Sequence, residues 1–160
     1  MIKITILAVG KLKEKYFIGA CDEYEKRLSR FCKFSVTEIE PGKISDNPSQ
    51  KEIDACLLDE GKRILQKIPA DAHVTALCIE GKMVDSEKLS KEIANGAAKG
   101  IGNRYYIIGG SYGLSDEVKA RADDKLSMSP MTFPHKLARV MLFEQIYRAF
   151  MIENGGVYHK

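Results

Sequence analysis

The sequence predicts an α/β fold: a single domain, residues 1–160, built on a mostly parallel sheet. Strand-like apolar runs alternate with helical patterns along the chain, and parallel neighbours need such crossover connections. The opening run, Ile2 to Val9, is rich in β-branched residues and almost continuously apolar, as in a strand covered on both faces. A chain of 160 residues, 44% hydrophobic and 29% charged, suffices for one buried core and is too short for two typical domains.

The elements follow in order. Gly10 closes the first strand. Phe17, Ala20, Cys21, Tyr24, Leu28 and Phe31 then recur at three- and four-residue steps, leaving Glu23, Lys26, Arg27 and Arg30 on the outer face of an amphipathic helix. Phe34 to Ile39 reads as a second strand, and Pro41 to Pro48 as a loop rich in turn-forming pairs. Ser49 and Glu52 form a capping-box signature for a helix with Ile53, Cys56, Leu57, Ile64, Leu65 and Ile68 inward, ended by Pro69. Val74 to Ile79 is a third strand; Glu80-Gly81-Lys82 is expected to turn the chain, and Ser86 to cap the next helix. Tyr105 to Ile108 is a fourth strand. Ser115, with Asp116 and Glu117 in the first turn, starts a short helix. Leu126 to Met128 is a short last strand before the final helix.

Composition excludes several classes. Cys21, Cys32, Cys56 and Cys78 are widely spaced and form no Cys-x-x-Cys pair, so they read as free thiols of a reducing cytoplasm. Only three histidines are present and none lies at ligand spacing, so no metal is expected. The apolar start is too short to span a membrane and has no basic leader, so neither export nor anchoring is expected. A net charge of +3 is far below that of a protein held to nucleic acid by charge alone, so any RNA contact should be local.

Two glycine turns stand at strand ends. Gly109-Gly110-Ser111-Tyr112-Gly113 lacks the Gly-x-Gly-x-x-Gly spacing and its distal acidic residue, which disfavours a dinucleotide oxidoreductase. Glu80-Gly81-Lys82-Met83 resembles a phosphate loop only briefly: Ala76 stands where the first glycine belongs, and Met83 cannot ligate magnesium. Either turn alone is explained by tight strand-to-helix geometry. Both nevertheless fall where open α/β sheets place ligands. Thr132 is expected to cap the last helix, Pro134 to fill its first turn, and His135 to sit neutral at its amino end unless it is simply a surface histidine. That helix is apolar around nearly its whole circumference, which fits a homodimer built on it or a central core helix in a monomer. Glu144 and Arg148 are spaced for an i,i+4 pair and, with Arg139, are candidates for lining a polar cleft. Tyr158-His159-Lys160 is either a frayed tail or a functional one.

Ile107-Ile108-Gly109-Gly110, Met131-Thr132-Phe133-Pro134-His135, Glu144-Gln145-Ile146-Tyr147-Arg148-Ala149 and Tyr158-His159-Lys160 together resemble the RlmH family of SPOUT-class RNA methyltransferases, over essentially the full chain. The resemblance implies a carboxyl-terminal trefoil knot, S-adenosylmethionine as methyl donor, a homodimer, and methylation of N3 of a pseudouridine in 23S rRNA within the ribosome. Carried over by position, the donor pocket comprises Leu77, Gly109, Met128, Ser129, Pro130, Met131, Thr132 and Phe133. Pro130 departs from the pattern because it has no amide to donate. An imide nitrogen is a poor nucleophile while protonated, so a base or a cation should stand beside it. His159 from the partner's tail is the expected proton acceptor, Lys160 or Arg148 the stabilising cation, and Tyr158 the residue that orders the tail. The alternatives are a non-catalytic ribosome-associated module that binds a nucleotide-like ligand and a small-molecule methyltransferase. In the RNA case Lys11, Lys13, Lys15 and Arg104 are candidates to meet phosphate.

Overall fold

In the computed structural model, residues 1–158 are described. The strands are β1 (Lys3–Val9), β2 (Lys33–Ile39), β3 (His73–Met83), β4 (Asn103–Ile108) and β5 (Asp124–Ser127). The helices are α1 (Lys15–Leu28), α2 (Gln50–Gln66), α3 (Ser86–Ala98), α4 (Asp116–Arg121) and α5 (His135–Glu153). All five strands join one parallel sheet in the order β2-β1-β4-β3-β5.

Period-two alternation splits the strands between two cores. Ile4, Ile6, Ala8, Tyr106 and Ile108 face α1 and α5, where Cys21, Leu28, Leu142, Phe143 and Ile146 close the layer. Leu7, Val9, Val74, Ala76 and Ile107 face the other way, under Ile64 of α2 and Val118 of α4. Burying each valine, leucine, isoleucine or phenylalanine among these is worth about 1.5–3 kcal/mol, so both faces hold the sheet and the helices must flank it. α3 packs along α5 through Leu89, Ile93 and Ala149. No described helix is long and apolar enough to cross a membrane.

The capping box forms as expected: Ser49 Oγ accepts from Glu52 N at 3.2 Å, and Glu52 Oε2 accepts from Ser49 N at 2.7 Å. Ser115 caps α4 by accepting from Val118 N. Three local expectations are corrected. Asp85, not Ser86, caps α3, because its carboxylate accepts from Lys88 N at 2.7 Å. Pro134 occupies the cap position of α5 and no side chain, Thr132 included, caps that helix. The expected turn at Glu80-Gly81-Lys82 is part of β3.

That last difference has a physical cause. Leu126 of β5 pairs with both Leu77 and Lys82, so the register shifts across residues 78–81. A Cβ on Gly81 would stand 2.7 Å from the Leu126 carbonyl carbon and 2.8 Å from its nitrogen. The segment crosses hard against the β5 backbone, and only glycine fits.

Arg104 is a fourth correction. Expected as a loop or strand-edge cation, it is instead 5% exposed and lies under α3.

Candidate active site

The carboxyl ends of β3, β4 and β5 open on one cleft of about 910 Å³. Its floor is the turn after β4. Gly110 and Gly113 form an isolated bridge, Gly113 N donates to Gly110 O at 3.1 Å, and Gly113 has a φ of +85°. A Cβ on Gly109 would run into the Gly113 carbonyl, and one on Gly110 would approach Val9 Cγ1 at 3.2 Å. This turn therefore presents bare backbone to the cleft.

One wall is the end of β3, where the register shift turns residues 78–81 off the ladder and Leu77 to Glu80 line the cleft. Glu80 pairs with Lys119 of α4 at 2.5 Å. Hydrogen bonding to Lys119 holds the Glu80 carboxyl below its ordinary range, so this pair is charged. Burial raises the Cys78 thiol, which keeps it protonated and a poor nucleophile.

The other wall is the segment from Ser127 to His135. Ser127 Oγ donates to Ser129 O at 3.1 Å, and Met131 N donates to Ser129 Oγ at 3.0 Å, so the loop folds on its own polar groups. Met128, Met131 and Phe133 bring apolar surface to the cleft. His135 stands at its edge on the first residue of α5. Burial, then the charges of Lys136 and Arg139, lower its pKa, so the imidazole is neutral at pH 7. Burial is thus the leading cause of the neutrality expected for a histidine at the amino end of this helix.

The structure therefore brings Leu77, Gly109, Met128, Ser129, Met131, Thr132 and Phe133 around one cleft, whereas Pro130 is exposed and outside its lining. Glu80, from the second of the turns the sequence put at a strand end, lines it as well, and so do Cys78, Leu114 and Lys119, which went unnoticed in the sequence. Cys78 follows Leu77 so directly that strand-end logic would have reached it. The Glu80–Lys119 pair joins residues on separate elements and left no local signal.

Tyr158 and Arg148 lie elsewhere. Tyr158 donates its hydroxyl to Glu144 Oε2 at 2.8 Å, and Arg148 binds the other Glu144 oxygen while stacking 4.6 Å over the Tyr158 ring. Tyr147 meets that ring edge-on at 5.0 Å. Burial and the Glu144 carboxylate raise both the Tyr158 and Tyr24 phenols. This cluster pins the chain back onto α5. Arg148 stands thirteen residues along that helix from His135, roughly 20 Å at the α-helical rise, and neither it nor Tyr158 lines the cleft. His159 and Lys160 lie outside the described residues.

Fold and cleft together define a class: an α/β protein whose ligand site lies at the carboxyl ends of parallel strands, floored by bare glycine backbone. A family model described as "Predicted SPOUT methyltransferase" matches residues 2–159, and the chain belongs to that family. It is 50% identical over 159 residues to a protein of Clostridium kluyveri named ribosomal RNA large subunit methyltransferase H, covering 99% of this chain and 100% of that protein. A Clostridioides difficile protein of the same name is 49% identical over the same shares of both chains. Among solved structures, one titled "Structural insights into the 2-OH methylation of C/U34 on tRNA" matches with a TM-score of 0.53 at 18% identity, over 96% of this chain and 98% of that one. At that identity the likeness shows the fold.

Proposed function

We propose that the protein is a dimeric, cytoplasmic methyltransferase that uses S-adenosylmethionine to methylate a base of large-subunit ribosomal RNA, the target being N3 of a pseudouridine in 23S rRNA on the ribosome. The observation that carries this reading is the convergence of three strand-end segments on one cleft. Its volume falls in the range of small-molecule sites. The fit to an adenosyl group is chemical as well as spatial: Leu77, Met128 and Phe133 supply apolar surface for a flat base, and the Gly109–Gly113 turn supplies backbone that no Cβ shields. The names of the relatives support the RNA substrate.

When bound, S-adenosylmethionine supplies an electrophilic methyl group. The residues of this chain then have three tasks. The glycine turn and the 127–135 loop orient the donor and exclude water. The neutral His135 adds no cation beside a sulfonium. A group beside the acceptor takes the imide proton or stabilises the imide anion: His159 from the partner's tail is proposed as the proton acceptor, the partner's Lys160 or Arg148 as the stabilising cation, and Tyr158 as the residue that orders the tail.

Two features support a homodimer. α5 is apolar all round, yet only one side is fully buried within the chain; Leu137 is 37% exposed and Val140, Met141 and Met151 are half-buried. Arg148, far along α5, and Tyr158, packed beside it, also lie away from the cleft of their own chain, which fits their presentation by a partner. A trefoil passage of the carboxyl region belongs to the same proposal, supported by the crossing of Gly81 against β5.

Calorimetry with S-adenosylmethionine, followed by nucleoside mass spectrometry of treated ribosomes, tests the reading. Donor binding with transfer to ribosomes is expected. Binding without transfer would make the protein a non-catalytic nucleotide-binding module, and transfer to small acceptors alone would make it a small-molecule enzyme. Removing residues 158–160 should abolish transfer and leave donor binding intact.

A further inference from the structure

A second cavity, of about 360 Å³, opens beneath α3 beside the starts of β3, β4 and β5. It shares Leu126 with the donor cleft but lies on the other side of that residue, toward the amino ends of the strands. Arg104 forms part of its wall and is 5% exposed. The guanidinium presses its Nη2 against Gly96 so closely that a Cβ there would collide with it. This explains a glycine in the interior of α3, where it costs the helix about 1 kcal/mol relative to alanine.

The partners of Arg104 do not balance its charge. Its Nη2 donates to the Glu92 carbonyl at 3.0 Å, and its Nε is buried with no hydrogen-bond partner among the described residues. No described carboxylate forms an ion pair with it. The two carboxylates that line the cavity are engaged elsewhere: Glu92 faces Lys82 at 4.0 Å and Asp124 meets His73 at 2.7 Å. A guanidinium stays charged throughout the physiological range, and a buried charge without a counter-ion is costly. Lys82, Lys99 and Lys125 also line the cavity and are exposed. Hydrogen bonding to and repulsion by Lys82 lower the pKa of Lys88, a sign of crowded positive charge at this edge. Burial pushes the Tyr106 phenol up to about 12, and the charge of Arg104 works against that rise. Tyr106 thus stays a neutral phenol beside the guanidinium.

From this geometry we infer that the cavity is an oxyanion site for a phosphate group, with Arg104 as its buried fork and Lys82 and Lys99 as its outer cations. A guanidinium fork matches tetrahedral oxyanions, and the flanking lysines favour a dianion over a carboxylate. The phosphate belongs either to a free anion or to an RNA backbone. Phosphate binding at this site is independent of the methyl-transfer reading; only the ribosome KM comparison below rests on that reading.

The test is the Nε–H resonance of Arg104 in the intact protein, titrated with inorganic phosphate and, at matched ionic strength, with acetate and chloride. A saturable shift with phosphate, and a melting temperature about 2–4 °C above the chloride control, are expected. Because Arg104→Gln could fail to fold, the deciding variant is Lys82→Gln with Lys99→Gln. It should weaken phosphate binding about 5-fold and leave donor binding unchanged. The same variant raises KM for ribosomes if the phosphate is RNA, and leaves KM alone if it is a free anion. No saturable response, or an equal response to acetate or chloride, overturns the proposal.

Discussion

Gly109→Ala is the sharpest probe of the cleft. A Cβ at this position would press on the Gly113 carbonyl oxygen, 2.5 Å from its carbon and 3.1 Å from Gly113 Cα. Unbonded carbons rest about 3.5–4 Å apart, so the turn must retreat by roughly 1 Å, and what blocks it is backbone rather than a flexible side chain. Overpacking of this kind costs about 1–3 kcal/mol, or a fall of about 3–10 °C in Tm for a chain of this length. A displacement of about 1 Å at a reacting centre costs up to about 100-fold in rate. Calorimetry with S-adenosylmethionine should show a loss of about 10–100-fold in affinity, equivalent to roughly 1.4–2.8 kcal/mol. Gly19→Ala is the control: nothing lies within 4 Å of its Cβ position in α1, so it should add about 0.5–1 kcal/mol of stability without touching donor binding. A folded Gly109→Ala protein that binds donor as tightly as the wild type would remove the glycine turn from the donor pocket.

Two further outcomes concern the start of α5. Arg139 is 3% exposed and holds Glu38 at 2.8 Å and the Gly10 carbonyl at 3.0 Å. Arg139→Ala should therefore cost about 3–5 kcal/mol in chemical denaturation; a loss under about 1 kcal/mol would show that the pair is not structural. His135 has a folded pKa below the ordinary 6.5, so the unfolded chain takes up its proton first. Its contribution to stability is complete above pH 6.5 and is lost as pH falls through the folded value. Melting curves across about pH 5 to 8 should show a steeper acid-side decline for the wild type than for His135→Gln, and parallel curves would refute the assignment.

The sequence made the fold legible where one physical signal dominated. β1 alternates between two buried faces with every residue from Ile6 to Val9 inside, and such a run has few other uses. Ser49 and Glu52 announced their reciprocal cap because both partners lie within four residues. The misreadings came where a distant element decided. Glu80-Gly81-Lys82 has the composition of a turn, but Gly81 is there to let β3 cross the β5 backbone, forty-five positions away at Leu126. Arg104 read as a strand-edge cation because nothing nearby in sequence reveals that Gly96 leaves room for its guanidinium. At the cleft, glycine and loop positions were visible as strand ends, while the Glu80–Lys119 pair depends wholly on tertiary placement.

The separation between cleft and tail turns the dimer question into a complementation experiment. In one subunit, Gly109 and the 127–135 loop stand at the amino end of α5, while Arg148 and Tyr158 gather around Glu144 toward its carboxyl end. An isologous pair whose two-fold axis crosses α5 brings opposite ends of two such helices together. Consider a purified heterodimer of a Gly109→Ala subunit and a subunit lacking residues 158–160. If the tail acts across the interface, the intact cleft of the shortened chain receives the intact tail of the other, and one of two sites works. About half the wild-type rate is then expected, although each parental homodimer is inactive. If the tail serves its own cleft, both sites carry a defect and the heterodimer is as inactive as its parents. That second result, obtained with a heterodimer that binds one donor per pair, would refute delivery by the partner and assign the tail's action to its own subunit.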